Sequence, residues 1–197
     1  MVKKGIYAMG KIILASTSPR RRDILKKSKY NDFEIIPSPY IEDHTMTDFS
    51  YEFIEGLAAN KALAVIPLTK DPSVIIGADT VVVVDDKILG KPKDKEEAFK
   101  TLKMLSGRTH IVVTGIAVVN TETNKIKTSA STSRVTFEKL TDEQITFYIE
   151  NFQPLDKAGS YGIQEMPDGY IKSYTGNLDN IIGLDMDLTE KLIEGVL

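Results

Sequence analysis

Apolar residues in this chain fall by turns into short unbroken runs and helix-spaced patches, which predicts strands and helices in alternation. Lys11-Ile12-Ile13-Leu14-Ala15 is short and mostly apolar, as a buried strand requires. Ser18 then suits an N-cap and Pro19 the first helical position, so a helix begins there and runs to about Lys29. Phe33 to Pro37 reads as a short strand closed by Pro37 and Pro39. A helix from about Ser50 to Ile66 leaves between Pro67 and Pro72. Ser73 to Ala78 and Val81 to Val84 read as two strands, with Asp85-Asp86-Lys87 turning into Ile88-Leu89. Asp94-Lys95-Glu96-Glu97 has a capping-box pattern that opens a helix over Lys95 to Leu105, stopped by Ser106-Gly107.

The second half is richer in strands. His110 to Asn120 and Ile126 to Glu138 are rich in Val, Ile and Thr, and the polar Thr121 to Asn124 between them predicts a long hairpin. Thr141-Asp142-Glu143-Gln144 opens another helix, to about Asn151. Asp156 to Gly176 is glycine-rich and loop-like, with a short strand near Tyr170 to Tyr174. Asp187 to Gly195 closes the chain as a helix.

Composition narrows the function classes. The 197 residues suit one domain with room for two lobes, and residues 1–10 read as an extension ahead of the first strand. A formal net charge of −3 is no polyanion-binding signature, which argues against broad nucleic-acid or anionic-membrane binding. The chain has no cysteine, so disulfides, thiolate metal sites and cysteine nucleophiles are excluded. No apolar run approaches the ~20 residues that span a bilayer, and the first ten residues do not read as a signal peptide; a cytoplasmic protein is expected.

Four places hold residues suited to chemistry. Ser16-Thr17-Ser18-Pro19-Arg20-Arg21 sets hydroxyls, unpaired backbone N–H groups and two guanidinium forks where a strand turns into a helix, the make-up of a phosphate grip. A capped helix with a solvated basic first turn is the plainer reading. Asp79, at the end of an apolar strand, can hold a divalent cation, activate water, or simply cap a turn. Lys91, between Gly90 and Pro92, is either aimed at a phosphoryl group or a solvated loop lysine. Lys61 stands among alanines and leucines, where snorkelling to the surface is usual. In Glu42-Asp43-His44 three consecutive side chains do not converge on one ion, so a single ligand is the most that this run supplies. His110 precedes Ile111-Val112-Val113 and reads as structural. Neither a Walker A nor a GxGxxG motif occurs.

These pieces resemble one family, the Maf proteins, which are septum-formation-associated nucleotide pyrophosphatases. The matching segments are Ser16 to Arg21, Gly77-Ala78-Asp79-Thr80, Gly90-Lys91-Pro92, Leu105-Ser106-Gly107 with His110 and Thr114-Gly115, and Asp156-Lys157-Ala158-Gly159-Ser160-Tyr161-Gly162-Ile163-Gln164, in family order from residue 11 to about 190. The resemblance implies an α/β fold with a mixed twisted sheet flanked by helices, and two lobes around a deep cleft, similar to inosine triphosphate pyrophosphatases. It implies hydrolysis of nucleoside triphosphates to monophosphate and pyrophosphate with magnesium or manganese, and the Asp156 to Gln164 run is similar to the branch that acts on dTTP and UTP. By matching position, Asp79 corresponds to the proton acceptor. Arg21, Thr80 and Gln164 correspond to specificity positions. Ser16, Arg20, Glu42, Lys61 and Lys91 correspond to cleft residues around the phosphates and metal, with Glu42 joining Asp79 as the metal's ligand. A homodimer is implied as well.

Three features depart from the family pattern. Asp185 stands where proline is common, Glu165 where glycine is common, and Arg22 makes a third consecutive arginine. A nucleotide-sensing regulator of cell division without turnover, and a pyrophosphatase acting on damaged purine nucleotides such as ITP, stand as the alternatives to dTTP and UTP hydrolysis.

Overall fold

The computed structural model describes residues 10–42 and 48–197. The expected N-terminal extension therefore lies, apart from Gly10, outside the described residues, as do Asp43 and His44. Among the described residues, seven strands form one mixed sheet: β1 (Lys11–Leu14), β2 (Phe33–Ile35), β3 (Ser73–Val84), β4 (Lys87–Leu89), β5 (Thr109–Asn120), β6 (Lys125–Phe137) and β7 (Ile171–Thr175). Their order is β2-β1-β3-β5-β6-β7, with β4 paired to one end of β3. β1 runs parallel to β2 and β3, and the other pairings are antiparallel. Among the described residues, six α-helices flank the sheet: α1 (Pro19–Leu25), α2 (Tyr51–Leu63), α3 (Lys95–Leu105), α4 (Asp142–Phe152), α5 (Leu178–Ile182) and α6 (Met186–Val196).

Most boundaries follow the sequence pattern, and the differences have local causes. The expected strands Ser73 to Ala78 and Val81 to Val84 are one strand, because Asp79 and Thr80 pair with Gly115 and Thr114 of β5 and the ladder runs through them. Helix α1 stops at Leu25 rather than near Lys29. The Ser28 hydroxyl donates to the Leu25 carbonyl at 2.8 Å, a side-chain bond that competes with helix continuation. Helix α2 ends at Leu63, and Ile66–Leu68 forms a separate 3-10 turn around Pro67. The glycine-rich stretch after α4 holds three short 3-10 turns, Pro154–Asp156, Ala158–Ser160 and Ile163–Glu165. Helix α5 has no counterpart in the sequence reading. Its five residues are too few to show a hydrophobic period.

Among the described residues, the long strands carry four hydrophobic clusters, two on each face of β3. The first half of β3 packs through Val74, Ile76 and Ala78 onto β1, α1 and α6, and its other face packs through Ile75 onto Ala58 and Ala62 of α2. Past Thr80, Val82 and Val84 join a different core built on Leu102, Leu105, Ile145 and Tyr148 of α3 and α4. Two glycines bring α2 close to the sheet. A Cβ on Gly77 would stand 2.3 Å from the Ala58 carbonyl oxygen, and one on Gly115 would stand 2.5 Å from that of Ile54.

Candidate active site

The cleft opens where one edge of β3 loses its neighbour. β1 pairs with β3 only as far as Ile76, and β4 begins to pair at Val82. Between them lies a short length of β3 edge that no strand among the described residues covers. Asp79 and Thr80 sit in that gap. Successive side chains of a strand point to opposite faces, so Asp79 faces α2 and Thr80 faces α1 and α5. A cavity of about 400 Å³ wraps around this edge and reaches both faces. Ser16, Arg20, Arg21, Glu42, Lys61, Thr80, Lys91 and Gln164 all line it. Asp79 is not in the wall itself, and it meets the cavity through Lys61.

On the α2 face, Lys61 is not a snorkelling surface lysine. Its ammonium is held between two carboxylates, 2.7 Å from Glu42 Oε1 and in contact with Asp79 Oδ1. The Lys61 side chain is 13% exposed and that of Asp79 is 9% exposed, so the ion pair is largely withdrawn from solvent. Buried pairs of this kind cost desolvation and are weak devices for stability, which makes a functional reason for this one more pressing. Two carboxylate oxygens meeting at one cation also form an oxygen donor pair that a hard divalent ion can use. No group of three or more acidic or histidine ligands occurs among the described residues.

On the other face, Ser18 caps α1 by accepting from the Arg21 amide at 3.4 Å, and Pro19 follows it. This sets Arg21 against the sheet. Its Nε donates to the Gly183 carbonyl at 2.8 Å, Nη2 donates to Thr80 Oγ1 at 3.0 Å, and Nη1 donates to Ser16 Oγ at 3.4 Å. None of the three acceptors is charged. Burial pushes the Arg21 pKa below its usual value, while the charges of Asp79 and Glu42 pull it back and that of Arg20 opposes them. A guanidinium remains charged through such shifts, so among the described residues the site holds a positive charge with no carboxylate bonded to it.

Arg20 points elsewhere, 3.3 Å from Asp156 Oδ2. Asp156 Oδ1 in turn lies 2.8 Å from the ammonium of Lys157, which also lies 3.0 Å from Glu165 Oε2. The four side chains make an alternating charge chain that ties α1 to the segment after α4. Burial works to raise the Asp156 pKa, but Lys157 and Arg20 together hold it below the usual carboxylate value. Lys157, whose side chain is 8% exposed, is the residue that reading the sequence passed over. The motif Asp156 to Gln164 contained it, but nothing in its spacing marked it as buried. Lys91 lines the cavity from the turn after β4 and has no ion-pair partner among the described residues. Gln164 is exposed at the cavity wall.

His110 is structural, as its sequence context suggests. It is 2% exposed, and its Nε2 lies 2.7 Å from the Tyr161 hydroxyl. Burial lowers its pKa to about 4, so the ring is neutral at pH 7. Tyr161 forms part of the cavity wall, and His110 holds it from behind.

Residues 11–196 match the family described as Maf-like protein. The chain belongs to the Maf family. It is 40% identical over 185 residues to a dTTP/UTP pyrophosphatase of Clostridium botulinum (strain Eklund 17B / Type B), covering 93% of this chain and 98% of that one. It is 42% identical over 174 residues to a dTTP/UTP pyrophosphatase of Thermoanaerobacter sp. (strain X514), covering 88% and 90%. Among solved structures, the Ham1 protein of Staphylococcus aureus aligns over 94% of this chain and 98% of its own, at 15% identity and a TM-score of 0.49. The Maf match spans all the cavity residues named above, from Ser16 to Gly183.

Proposed function

We propose that this Maf-family chain hydrolyses dTTP and UTP to the nucleoside monophosphate and pyrophosphate. The observation that carries this reading is the convergence of Glu42, Lys61 and Asp79 at one end of a cavity that also holds Arg20, Arg21 and Lys91. A triphosphate needs cations along its length and a base near one phosphorus, and this cavity offers both. Its relatives named for dTTP and UTP supply the choice of nucleotide.

Glu42 and Asp79 would hold magnesium or manganese, and such an ion, when bound, neutralises phosphate charge and lowers the pKa of an attached water. The rest of the reaction falls to the chain's own groups. The Asp79 carboxylate takes a proton from the attacking water, whose oxygen bonds to phosphorus as the α–β bridging P–O bond breaks. Lys61 steadies Asp79 and Glu42 in the position each needs. Arg20, Arg21 and Lys91 offset the charge of the leaving pyrophosphate, and Ser16 adds a hydroxyl at the same end. Thr80 and Gln164 read the pyrimidine edge. A site built to hydrogen-bond that edge rejects bases that leave its polar groups unpaired.

The same reading takes residues 11–197 as one two-lobed domain with residues 1–10 as an extension, consistent with a family match that begins at residue 11. It also assigns the enzyme to the cytoplasm, where its substrates are, and to a homodimer. Among the described residues, no helix is long and apolar enough to cross a membrane.

The test is pyrophosphate release from dTTP, UTP, CTP, GTP, ITP and 7-methyl-GTP with magnesium or manganese, beside Asp79→Asn. Turnover of dTTP and UTP is expected, with at least a ~100-fold loss in Asp79→Asn, the scale of general-base assistance. Near-wild-type turnover in the variant removes Asp79 from the role. A preference for ITP favours the damaged-purine reading, and binding without release favours the sensing one.

A further inference from the structure

Thr80 faces the cavity with a hydroxyl whose proton is already committed. Thr80 Oγ1 lies 2.9 Å from Thr114 Oγ1 on the neighbouring strand, and Thr114 Oγ1 donates to the Asn180 carbonyl at 2.9 Å. A carbonyl only accepts, and a threonine hydroxyl has one proton. Asn180 is fully buried. The amides of Gly183 and Leu184, one turn further along, both donate to Asp179 instead, at 2.8 and 2.9 Å. Thr114 therefore supplies the bond that this buried carbonyl needs, and an unpaired buried carbonyl is costly. With the Thr114 proton spent on Asn180, the Thr80–Thr114 bond has only one possible direction, with Thr80 donating. The other acceptor near Thr80 among the described residues, the Gly183 carbonyl at 3.4 Å, already takes Arg21 Nε, and a proton given to it would be no more available to a ligand. Arg21 Nη2 donates to Thr80 and fills one lone pair. What Thr80 has left for a ligand is a single lone pair.

We propose that Thr114 is a specificity-determining positioning residue: by donating to Asn180 it compels Thr80 to present an acceptor, which takes the imino N3–H of uracil or thymine and repels the N3 lone pair of cytosine. This rests on the pyrimidine triphosphate reading above. Uracil and thymine carry one hydrogen-bond donor nitrogen on the base, N3–H, so an acceptor-only residue that reads either base must read that atom. Asn180 is itself held by its side chain, which donates to the Val112 carbonyl at 3.1 Å and to Ser133 Oγ at 2.8 Å. The polarity of Thr80 is thus anchored in the sheet and does not adjust to the ligand.

The experiment compares kcat/KM for UTP and CTP in the wild type, Thr114→Val and Thr114→Ser, using the full chain. Valine keeps the shape and removes the acceptor, which frees the Thr80 proton to point at cytosine N3. The expected result is a fall of about tenfold in the UTP-to-CTP ratio for Thr114→Val, with Thr114→Ser within about twofold of wild type. A merely structural threonine would lower both substrates together and leave the ratio unmoved, and that outcome overturns the proposal. Should Thr114→Val fail to fold, the wild type alone decides with 3-deaza-UTP, which puts C–H where N3–H stood. A loss of at least about tenfold against UTP is expected, and equal turnover overturns the assignment. Release of pyrophosphate from neither UTP nor dTTP by the wild type would instead bring down the parent reading, and this inference with it.

Discussion

Arg21 and Lys61 show how one side chain can be assigned by what surrounds it. Lys61, among alanines and leucines, has the sequence context of an ordinary surface lysine, yet its ammonium closes a gap between Glu42 and Asp79. Arg21 uses three N–H groups on neutral oxygens of three different segments, so its charge is held rigidly and, among the described residues, no carboxylate contacts it directly. Rigid placement reduces the entropy lost when a phosphate or base carbonyl binds. Arg21→Ala is expected to raise KM for UTP at least about tenfold, the scale of a charge-assisted hydrogen bond, with a smaller fall in kcat. Steady-state kinetics would show this, and an unchanged KM with an unchanged substrate profile would remove Arg21 from recognition. The motif Ser16 to Arg21 made these residues legible in the sequence. Their separate aims, Arg21 toward the sheet and Arg20 toward Asp156, were not, because a helix start sets position while neighbours from residues 156 and 183 set direction.

At the scale of elements, helix α2 and strand β3 determine whether Lys61 reaches Asp79. The contact depends on how near the helix lies to the sheet, and Gly77 and Gly115 set that distance. A methyl at residue 77 would drive into the Ala58 carbonyl oxygen and the Ala62 amide nitrogen, at 2.3 and 2.8 Å. Both are backbone atoms and neither can rotate aside. Gly77→Ala is expected to cost about 2 kcal/mol through overpacking, or roughly 5 °C in Tm for a chain of this size. Activity should fall further than stability, because the shifted helix carries Lys61 with it. Calorimetry and turnover measured below the new Tm would separate the two, and a variant with wild-type Tm would show that α2 has room to move. The Gly77-Ala78-Asp79-Thr80 motif was visible as a motif, but its glycine was not visible as a packing residue. Nothing local distinguishes a glycine needed for a turn from one needed for a close approach, and here φ is not in the left-handed region at all. The break expected between two strands at Asp79 failed for a related reason. Polar residues interrupt an apolar run, but they do not interrupt a ladder whose partner strand continues.

For the whole molecule, the hydrophobic clusters along β3 meet where the chemistry lies, and His110 ties the cavity wall to the fold's stability. The His110 pKa is about 4 in the folded chain and 6.5 for the free side chain. Between those values the unfolded chain binds a proton that the folded one refuses, so acid favours unfolding. The contribution is fully present above about pH 6.5 and is lost as pH falls toward 4, with a span of about 3 kcal/mol. Thermal unfolding from pH 7 to pH 4 should therefore show a declining Tm in the wild type and a shallower decline in His110→Phe, which has no proton to take up. Equal slopes would mean that other groups carry the acid sensitivity.

The sequence by itself determined the alternation of elements, the caps at Ser18, Asp94 and Thr141, the long hairpin of β5 and β6, and the family to which the motifs belong. These depend on periodicity, local hydrogen bonding and side-chain chemistry, all of which act over a few residues. Only the tertiary structure decided that β3 is one strand, that a stretch of its edge lies open, and that Lys157 is buried between Asp156 and Glu165. It alone also placed the Thr80 hydroxyl against Thr114, which donates to the carbonyl of Asn180, one hundred residues beyond Thr80. Edges, burial and hydrogen-bond direction are properties of neighbours, and these neighbours are far apart along the chain.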